Sequence, residues 1–493
     1  MTDIRVPEDP PPAPVFVPQF CDPSRRGLLL AAAILASAMG FIDSTVVAIA
    51  IPAIRASLDA TLGQAQWVHN AYMLTLAALI LVGGAMGDRF GLARVFGAGI
   101  ALFILASLAC AAAPTPAILV LSRAVQGIGA AIMVPGSLAA IARAYPREQR
   151  GRAIGIWAAA SSLTTALGPV IGGLALTIGG DEMWRWVFAV NLPLGACALW
   201  LLRRAVQSDP GRPGTPVDLT GAALATGALF CLAWGLTGSH GPDPRWLAAG
   251  LAGLAAFILV EWRSAHPMMP LPLFRNPGFA ATNLLTFLLY AAMGIVFFYL
   301  PMTLVAGWGH PEIDASIAFA PMSVFISILS ARMGALADRT GPAPLLAVGS
   351  VCVAAGYAVM ALITPAQAFW DGVMPAMCLV GFGMSLVVSP LSTAVMGMVE
   401  ESESGLASGI NNAATRLAGL IAVAATGGIA ASAYTASGGP AGFGEISDLP
   451  GHGAAMSAGF ARLCWLAAGL ALISGAIAWV ALRRPAEMKK PRT

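Results

Sequence analysis

The chain has 493 residues, of which 58% are hydrophobic and only 10% are charged. A soluble domain carries about a quarter charged residues, so this composition excludes an ordinary soluble protein. The net charge of +3 is spread over polar breaks between long apolar blocks and gives no basis for nucleic-acid binding. Such blocks indicate many membrane-spanning helices.

The residue inventory also excludes several kinds of active site. The seven cysteines are dispersed and form no CxxC pair, so neither a disulfide framework nor a zinc site is expected. The five histidines are scattered, which argues against a metal site and against an enzyme. The only lysines, Lys489 and Lys490, lie near the C-terminus, so the chain has no P-loop. We expect no cofactor, and we expect an ion gradient to drive any transport.

The two ends of the chain are expected to be tails. Residues 1–26 are rich in proline and acids and are predicted to be disordered, and residues 483–493 form a short basic tail. Arg25 and Arg26, followed by an apolar run, resemble a signal peptide. Because the apolar run continues to Ile51, we expect an uncleaved first span.

Hydropathy in chain order predicts fourteen spans, and an even number places both termini on one side. Apart from Arg123 and Arg416 deep within spans, only Arg55, Arg185, Arg245 and Arg462 fall on the other side, so by the positive-inside rule both tails are cytoplasmic. The heavy use of arginine, alanine and glycine suggests a bacterial chain in the cell inner membrane. The predicted spans are 27–51, 66–86, 95–113, 117–138, 153–177, 184–202, 217–236, 246–262, 278–303, 314–332, 344–364, 372–395, 405–432 and 461–482.

An internal repeat divides the spans into two halves. GAMGDRFG at 84–91 ends the second span, and GALADRTG at 334–341 ends the tenth. We therefore predict an all-α polytopic membrane protein with six-helix halves at 27–204 and 277–482 and two extra helices inserted at 205–276. Such parallel repeats are typical of transporters whose substrate site lies between the halves.

Asp43 is a lone charge in the first span, within GFIDSTVVAIAIP. An acid at bilayer depth costs several kcal/mol and usually has a function. Asp43 lies about 24 Å from the cytoplasmic end of its span, in the outer half, and Arg123 of the fourth span lies at a comparable depth. We expect Arg123 to tune a protonatable Asp43, and Gln126 to add a hydrogen bond. The alternative is a permanent ion pair that joins the two spans.

The fifth span carries a stripe of small and polar residues, Ser161, Thr165, Gly168 and Gly172. The two glycines form a GxxxG pair that lets helix backbones approach closely. Pro169 is expected to bend or loosen this helix. Plain tight packing is the alternative explanation of the stripe.

Arg416 is the only deep charge in the second half, where it either contacts anionic groups or bonds nearby carbonyls. His69 is a candidate for a second titrating group. Because Asp43 stands nearly alone among deep acids, we expect a neutral, monocationic or zwitterionic substrate rather than a dication. Aromatic residues in spans more often pack or anchor at the interface. The candidates for lining a substrate cavity are Trp67, His69, Tyr72, Tyr290, Asn411, Asn412 and Arg416.

Several of these motifs, in this order, resemble the 14-span drug/proton antiporter branch of the major facilitator superfamily. Residues 84–93 resemble its cytoplasmic-loop motif G-x-L-A-D-R-x-G-R-K, without the last two basic residues, and residues 123–131 resemble its fourth-span motif. Residues 43–52 resemble D-x-T-V-x-N-V-A-L-P with Ala48 in place of asparagine, and residues 164–173 resemble the antiporter motif G-x-x-x-G-P-x-x-G-G with Thr164 in place of the first glycine.

The resemblance implies roles for two groups of residues. The antiporter motif supplies Gly168, Pro169, Gly172 and Gly173, which the resemblance places at the contact between halves and links to exchange rather than leak. A charge clasp would hold the cytoplasmic side shut, with Arg150, Glu400, Glu401 and Glu403 as candidate partners; a solvated loop is the alternative. The clasp residues are Gly84, Asp88, Arg89, Gly91 and Arg94, with Asp338 and Arg339 as the copy in the second half.

The resemblance implies a proton-coupled exporter of small lipophilic, drug-like compounds that works by alternating access. Its partners would be the substrate, protons and the lipid bilayer, with no nucleic acid, and we expect it to function as a monomer. The alternatives are a proton-coupled importer of a metabolite and a transport-inactive member of the same fold.

Overall fold

The computed structural model describes residues 20–207, 209, 211, 214, 216–237, 242–400 and 403–482. Over this part of the chain, fourteen helices are long and apolar enough to cross a membrane, which confirms the predicted count and the all-helical fold class. The helices are α1 Pro23–Leu58, α2 Leu62–Phe90, α3 Leu92–Ala111, α4 Pro116–Ala144, α5 Gln149–Gly179, α6 Trp184–Ala205, α7 Leu219–Leu236, α8 Pro244–Arg263, α9 Pro277–Gly307, α10 Glu312–Thr340, α11 Pro342–Ala366, α12 Phe369–Gly397, α13 Gly405–Ala436 and α14 His452–Ala481.

The predicted tails fall largely outside the described residues, which omit 1–19 and 483–493. The candidate clasp partner Glu401 also lies outside them. The end of the predicted N-terminal tail is described. Phe20 and Cys21 are buried, and Cys21 forms an isolated antiparallel bridge with Val206 after α6. The packed chain therefore begins before the first apolar run.

Several helices extend beyond the spans predicted from hydropathy, because hydrogen-bonded helix continues into polar sequence. Helix α1 continues to Leu58, past the predicted end at residue 51. The next helix begins at a capping box in which Thr61 and Gln64 each accept a hydrogen bond from the other's backbone N–H. Because α1 continues to Leu58, Asp43 lies near the middle of this helix rather than in its outer half.

The helices pack in two groups. Within α1–α6, α2 and α3 pack against α4, and α5 and α6 pack against α1. Within α9–α14, the most extensive contacts are those of α11 with α14 and with α12, and of α12 with α10. The main contacts between the groups are those of α2 with α13, α5 with α10, and α1 with α9. Helix α7 contacts both α2 and α13, and α8 packs mainly on α7.

The repeated GDRFG and ADRTG motifs adopt the same local structure. Gly91 ends α2 with φ of 101°, and Gly341 ends α10 with φ of 78°, which is backbone that favours glycine. The next helix begins directly afterwards, at Leu92 and at Pro342. The two motifs are therefore equivalent turns between consecutive helices.

Candidate functional site

The structure brings Asp43, Arg123 and Gln126 together inside the first helical group. Asp43 Oδ2 accepts a hydrogen bond from Arg123 Nη1 at 2.6 Å, and Asp43 Oδ1 accepts one from Gln126 Nε2 at 2.9 Å. Asp43 is 0% exposed and Arg123 is 1% exposed. Because both carboxyl oxygens accept from donors, the geometry is that of an ionised aspartate.

The guanidinium of Arg123 has further partners of its own. Its Nε donates to the carbonyl of Val68 at 3.0 Å, and Nη1 also donates to Gln126 Oε1 at 2.6 Å. Its Cζ lies 4.3 Å from the ring centroid of Tyr72, a cation–π contact. Arg123 therefore has more partners than Asp43, whose hydrogen bonds come only from Arg123 and Gln126.

A cavity of about 900 Å³ lies beside this network. It reaches the ends of helices on the face where α1 begins and α14 ends, which we call the terminal face; the other we call the opposite face. Tyr72 lines the cavity and stacks on Arg123, whereas Asp43 does not reach it. Tyr72 therefore separates the buried network from the cavity.

The charged groups of the cavity differ with depth. Asp88 and Asp218 line it at the ends of helices, and Arg416 lines it at the depth of Tyr72. Among the described residues Arg416 makes no ion pair, its Nε has no hydrogen-bond partner, and its electrostatic neighbours are the phenols of Tyr72 and Tyr290. The carbonyl bonds that we considered for Arg416 are not formed.

Of the predicted cavity residues, Tyr72, Asn412 and Arg416 line this cavity. Asn411 instead packs on α9, where Nδ2 donates to Thr286 Oγ1 at 2.9 Å. Tyr290 neighbours Arg416 without lining the cavity.

Two predicted aromatic residues lie elsewhere. The His69 ring packs against Phe298 of α9, with ring centroids 5.5 Å apart, and does not line the cavity. Trp67 lines a separate apolar cavity of about 460 Å³, together with Phe230 and Trp234 of α7. These two side chains therefore pack between helices.

The two helical groups are joined on the opposite face. Gln66 of α2 donates to the Tyr299 hydroxyl of α9 at 2.9 Å, and that hydroxyl donates to the carbonyl of Val423 in α13 at 3.1 Å. Thr177 at the end of α5 donates to Glu312 Oε2 at the start of α10 at 3.2 Å. The cavity is therefore sealed from this face.

Two further contacts hold loops on the opposite face. Arg55 Nη1 at the end of α1 donates to the carbonyl of Phe443, between α13 and α14, at 2.8 Å. Nearby, hydrogen bonds from Ser57 and from Arg185 hold the pKa of the exposed Glu182 carboxyl below its ordinary value. Glu182 therefore stays ionised at neutral pH.

The glycines of the α5 motif face two different helices. A methyl group at Gly168 would meet Ile42, and one at Gly172 would collide with Val46, so these glycines allow α5 to approach α1. A methyl group at Gly173 would collide with Ser316 Oγ and lie 2.8 Å from the Glu312 carbonyl oxygen. Gly173 therefore lies at the seam between α5 and α10, and the other two lie inside the first helical group.

Substituting Gly173 should open the seam on the opposite face, because a larger side chain has no space between α5 and α10. We expect Gly173→Val to move spin-label distances between the ends of α5 and α10 on the opposite face to longer values, as measured by double electron–electron resonance in a cysteine-free background. Gly155→Val is the matched control, since Gly155 lies in α5 with no atom near its added carbon. Unchanged distances in Gly173→Val would show that the seam does not depend on this glycine.

The predicted clasp residues are not joined in this structure. Asp88, Arg89, Arg94, Asp338 and Arg339 are all exposed, and none of them forms an ion pair within the described residues. Gly84 lines the cavity beside Asp88, and Gly91 makes the turn that follows α2. The terminal face is open where these residues lie.

A residue missed from the sequence, Asp209, holds the loop at this face. Its carboxylate pairs with Arg143 at 2.8 Å and accepts the backbone N–H of Ala93, in the first turn of α3, at 2.5 Å. A side chain at Gly91 would meet the backbone oxygen of Asp209 at 2.7 Å. The signal in the sequence was only a single acid among basic loops, because its partners come from α3 and α4.

Fourteen spanning helices with twelve of them in two groups of six, a cavity open at one face and sealed at the other, and a buried ion pair beside that cavity are features of secondary transporters. The model of the Major Facilitator Superfamily matches residues 33–423, and the chain belongs to this family of transporters. Family membership places the chain among transporters rather than enzymes.

The chain is related to 14-span drug efflux proteins. It is 31% identical over 475 residues to a methylenomycin A resistance protein of Streptomyces coelicolor, with 94% of each chain covered. It is also 31% identical over 467 residues to the puromycin resistance protein of Streptomyces alboniger, covering 92% of this chain and 91% of that one. A tetracenomycin C resistance and export protein of Streptomyces glaucescens is 32% identical over 79% of this chain and 73% of its own.

Solved structures share the fold. A bacterial homologue of the human lysosomal transporter Spinster, in an inward-facing and unoccupied conformation, superposes with a TM-score of 0.67 at 18% identity, covering 94% of this chain and 98% of that one. A D-xylose–proton symporter superposes with a TM-score of 0.63 at 15% identity, covering 92% and 98%. Likeness at these identities shows the fold alone.

Proposed function

We propose that the chain exports small lipophilic, drug-like compounds in exchange for protons by alternating access. The observation that carries this proposal is the ion pair of Asp43 and Arg123, which lies behind Tyr72 at the wall of a cavity open to one face. A buried acid beside a substrate-sized cavity can bind a proton from one side and release it to the other. The resistance and export proteins to which the chain is related support export.

The moving parts of this proposal are the two helical groups. We assign them as six-helix halves at 27–204 and 277–482, with 205–276 inserted between them. The seams between α2 and α13 and between α5 and α10 are where the halves would rock. In the opposite conformation the exposed Asp88, Arg89 and Arg94 would close the terminal face as a clasp.

The excess of basic residues on the terminal face supports a cytoplasmic location for both termini, in the cell inner membrane. With this topology the cavity opens to the cytoplasm and the structure is inward-facing. An ionised, fully bonded Asp43 then corresponds to the state after its proton has been released inward. One chain contains both helical groups and the whole cavity, which supports function as a monomer.

The charge of the cavity narrows the substrate class. Asp43 is fully buried and paired, so no acid is available at depth to bind a cation. Arg416 lies at that depth without a counter-charge and would repel a cation. We propose neutral or zwitterionic compounds that present a hydrogen-bond acceptor to Arg416, with apolar contacts to the largely apolar helix faces around it.

The direction of proton movement tests this proposal. The purified wild type is reconstituted in liposomes that contain a pH dye, and neutral, zwitterionic and monocationic compounds are added outside without a pre-formed pH gradient. Exchange would carry protons out of the lumen as the compound enters, so the lumen becomes alkaline. We expect this signal for neutral or zwitterionic compounds.

The other outcomes are distinct. A proton symporter would make the lumen acidic as substrate enters, which would contradict exchange. A transport-inactive protein would give no pH change and no uptake of radiolabelled compound. Uptake without any pH change would contradict proton coupling but not transport of the compound. Protein-free liposomes supply the baseline for passive permeation.

A further inference from the structure

The inserted helices α7 and α8 carry a pair of acids that the transport mechanism does not use. Asp218 precedes α7, and Glu261 lies in the last turn of α8. Glu261 is 2% exposed although it carries an acid. Asp218 itself lines the cavity mouth, and so does Met268 in the linker after α8.

One oxygen of each carboxyl group is satisfied by the backbone. Asp218 Oδ1 accepts the N–H of Gly221 at 2.7 Å and so caps the N-terminus of α7. Glu261 Oε2 accepts the N–H of Met269 at 2.9 Å and so holds the linker after α8. These bonds position both acids and leave a second oxygen on each.

The two remaining oxygens face each other. A methyl group at Gly221 would lie 2.6 Å from Asp218 Oδ2 and would collide with Glu261 Oε1. The two carboxyl groups are within hydrogen-bond reach of each other. Yet Asp218 Oδ2 and Glu261 Oε1 are both buried and have no hydrogen-bond donor in the structure. Two acceptors in contact require a proton or a cation between them.

Within the described part of the chain, no cationic side chain lies between them. Helix α7 carries no charged residue, and neither acid takes part in an ion pair of the described residues. Among the described residues no group of three or more His, Cys, Asp or Glu side chains could hold a metal ion, so a metal ion here would have only these two carboxylates as side-chain ligands of these types. Asp88 and Arg416 are the charged groups that line the same cavity. The other charged or titratable groups nearby are exposed: Arg263 at the end of α8, and His266 and Arg275 in the adjoining linker.

We propose that Asp218 and Glu261 bind one proton between them and that this proton fastens the inserted helices at the cavity mouth. The N-terminus of α7 stabilises the negative charge on Asp218, so the proton sits on Glu261 Oε1 and is donated to Asp218 Oδ2. Two ionised acids at this distance would repel each other. Loss of the proton would therefore push Glu261 away from Asp218. This movement would break the hydrogen bond from Met269 to Glu261 and loosen the mouth.

Infrared spectroscopy of the full-length protein tests the proton directly. Glutamate is labelled with ¹³C, which separates its carboxyl band from the bands of Asp43 and other aspartates. We expect the wild type at neutral pH to show the C=O band of a protonated glutamate. Absence of that band from the folded wild type at neutral pH would overturn the proposal without any variant.

Variants then assign the band. We expect Glu261→Gln to lose the band and to fold, because its amide N–H can donate to Asp218 in place of the proton. Asp218→Asn should also lose it, since the asparagine amide can donate to an ionised Glu261. Asp448→Asn is the matched control, an exposed carboxyl in a loop, and should keep the band. Persistence of the band in Glu261→Gln would place the proton on another glutamate and overturn the assignment.

A second readout follows the linker. Limited proteolysis after Met268 should increase as pH is raised in the wild type and should stay constant in Glu261→Gln. If magnesium, calcium or zinc salts remove the glutamate band at constant pH, the pair is a cation site and the proton assignment is overturned. Equal proteolysis of both proteins at every pH would overturn the role at the cavity mouth.

Discussion

Asp43→Asn is expected to abolish proton exchange while the protein stays folded. Asparagine resembles the protonated acid in shape and charge, and Arg123 keeps its bonds to Val68 and Gln126 and its stacking on Tyr72. We therefore expect a loss of about 1.5–3 kcal/mol in the free energy of unfolding, the scale of a hydrogen bond to a charged group. The substrate-evoked pH signal in liposomes should fall to the protein-free baseline.

The measurement pairs three readouts on one preparation: unfolding by denaturant in detergent, compound binding, and the luminal pH signal. Asp43→Glu is the matched control, because it keeps a carboxyl group and should keep part of the signal. A wild-type pH signal in Asp43→Asn would reduce Asp43 to a structural residue. An unfolding loss of several kcal/mol would instead support the permanent ion pair that joins α1 and α4.

Arg123→Met is expected to destabilise the protein more than Asp43→Asn does. Removing the guanidinium leaves a carboxylate that is 0% exposed with Gln126 as its only hydrogen-bond donor. Breaking a buried ion pair in this way costs about 3–5 kcal/mol. We expect a loss of that size in the free energy of unfolding at neutral pH, measured by the same denaturant titration.

A double-mutant cycle isolates the cause. In Asp43→Asn/Arg123→Met no unpaired charge remains, so the double variant should be more stable than Arg123→Met alone. Arg123→Lys keeps the positive charge but cannot reproduce the bonds to Asp43, Val68 and Gln126 together, and should lie between wild type and Arg123→Met. If the double variant is less stable than Arg123→Met, the cost comes from lost packing on Tyr72 rather than from the bare carboxylate.

The sequence was sufficient for features that depend on composition along a helix or on a charge at membrane depth. The number of spanning helices followed from apolar runs, and the contact of Asp43 with Arg123 followed from the rarity of deep charges. Gln126 could be added because residues three apart lie on one helix face. The helix ends were less accessible, because hydropathy marks the apolar stretch and the hydrogen-bonded helix continues past it, as α1 does to Leu58.

Contacts between distant segments that involve no deep charge in the first half could not be predicted in the same way. Asp209 meets Ala93 and Arg143, and Glu261 meets Asp218, only after several helices have packed. The clasp illustrates a different limit. A sequence pattern reflects every conformation that the chain adopts, whereas this structure is one in which the terminal face is open.

The neutrality of the buried ion pair has an electrical consequence. Asp43 and Arg123 cancel each other in the structure, and a proton on Asp43 would leave one positive charge in the membrane. Exchange of that proton for a neutral or zwitterionic compound would then move one charge per cycle. A membrane potential of 100 mV supplies about 2.3 kcal/mol per charge, against about 1.4 kcal/mol for one pH unit. Such a carrier would keep pumping at an external pH equal to the internal pH, driven by voltage alone.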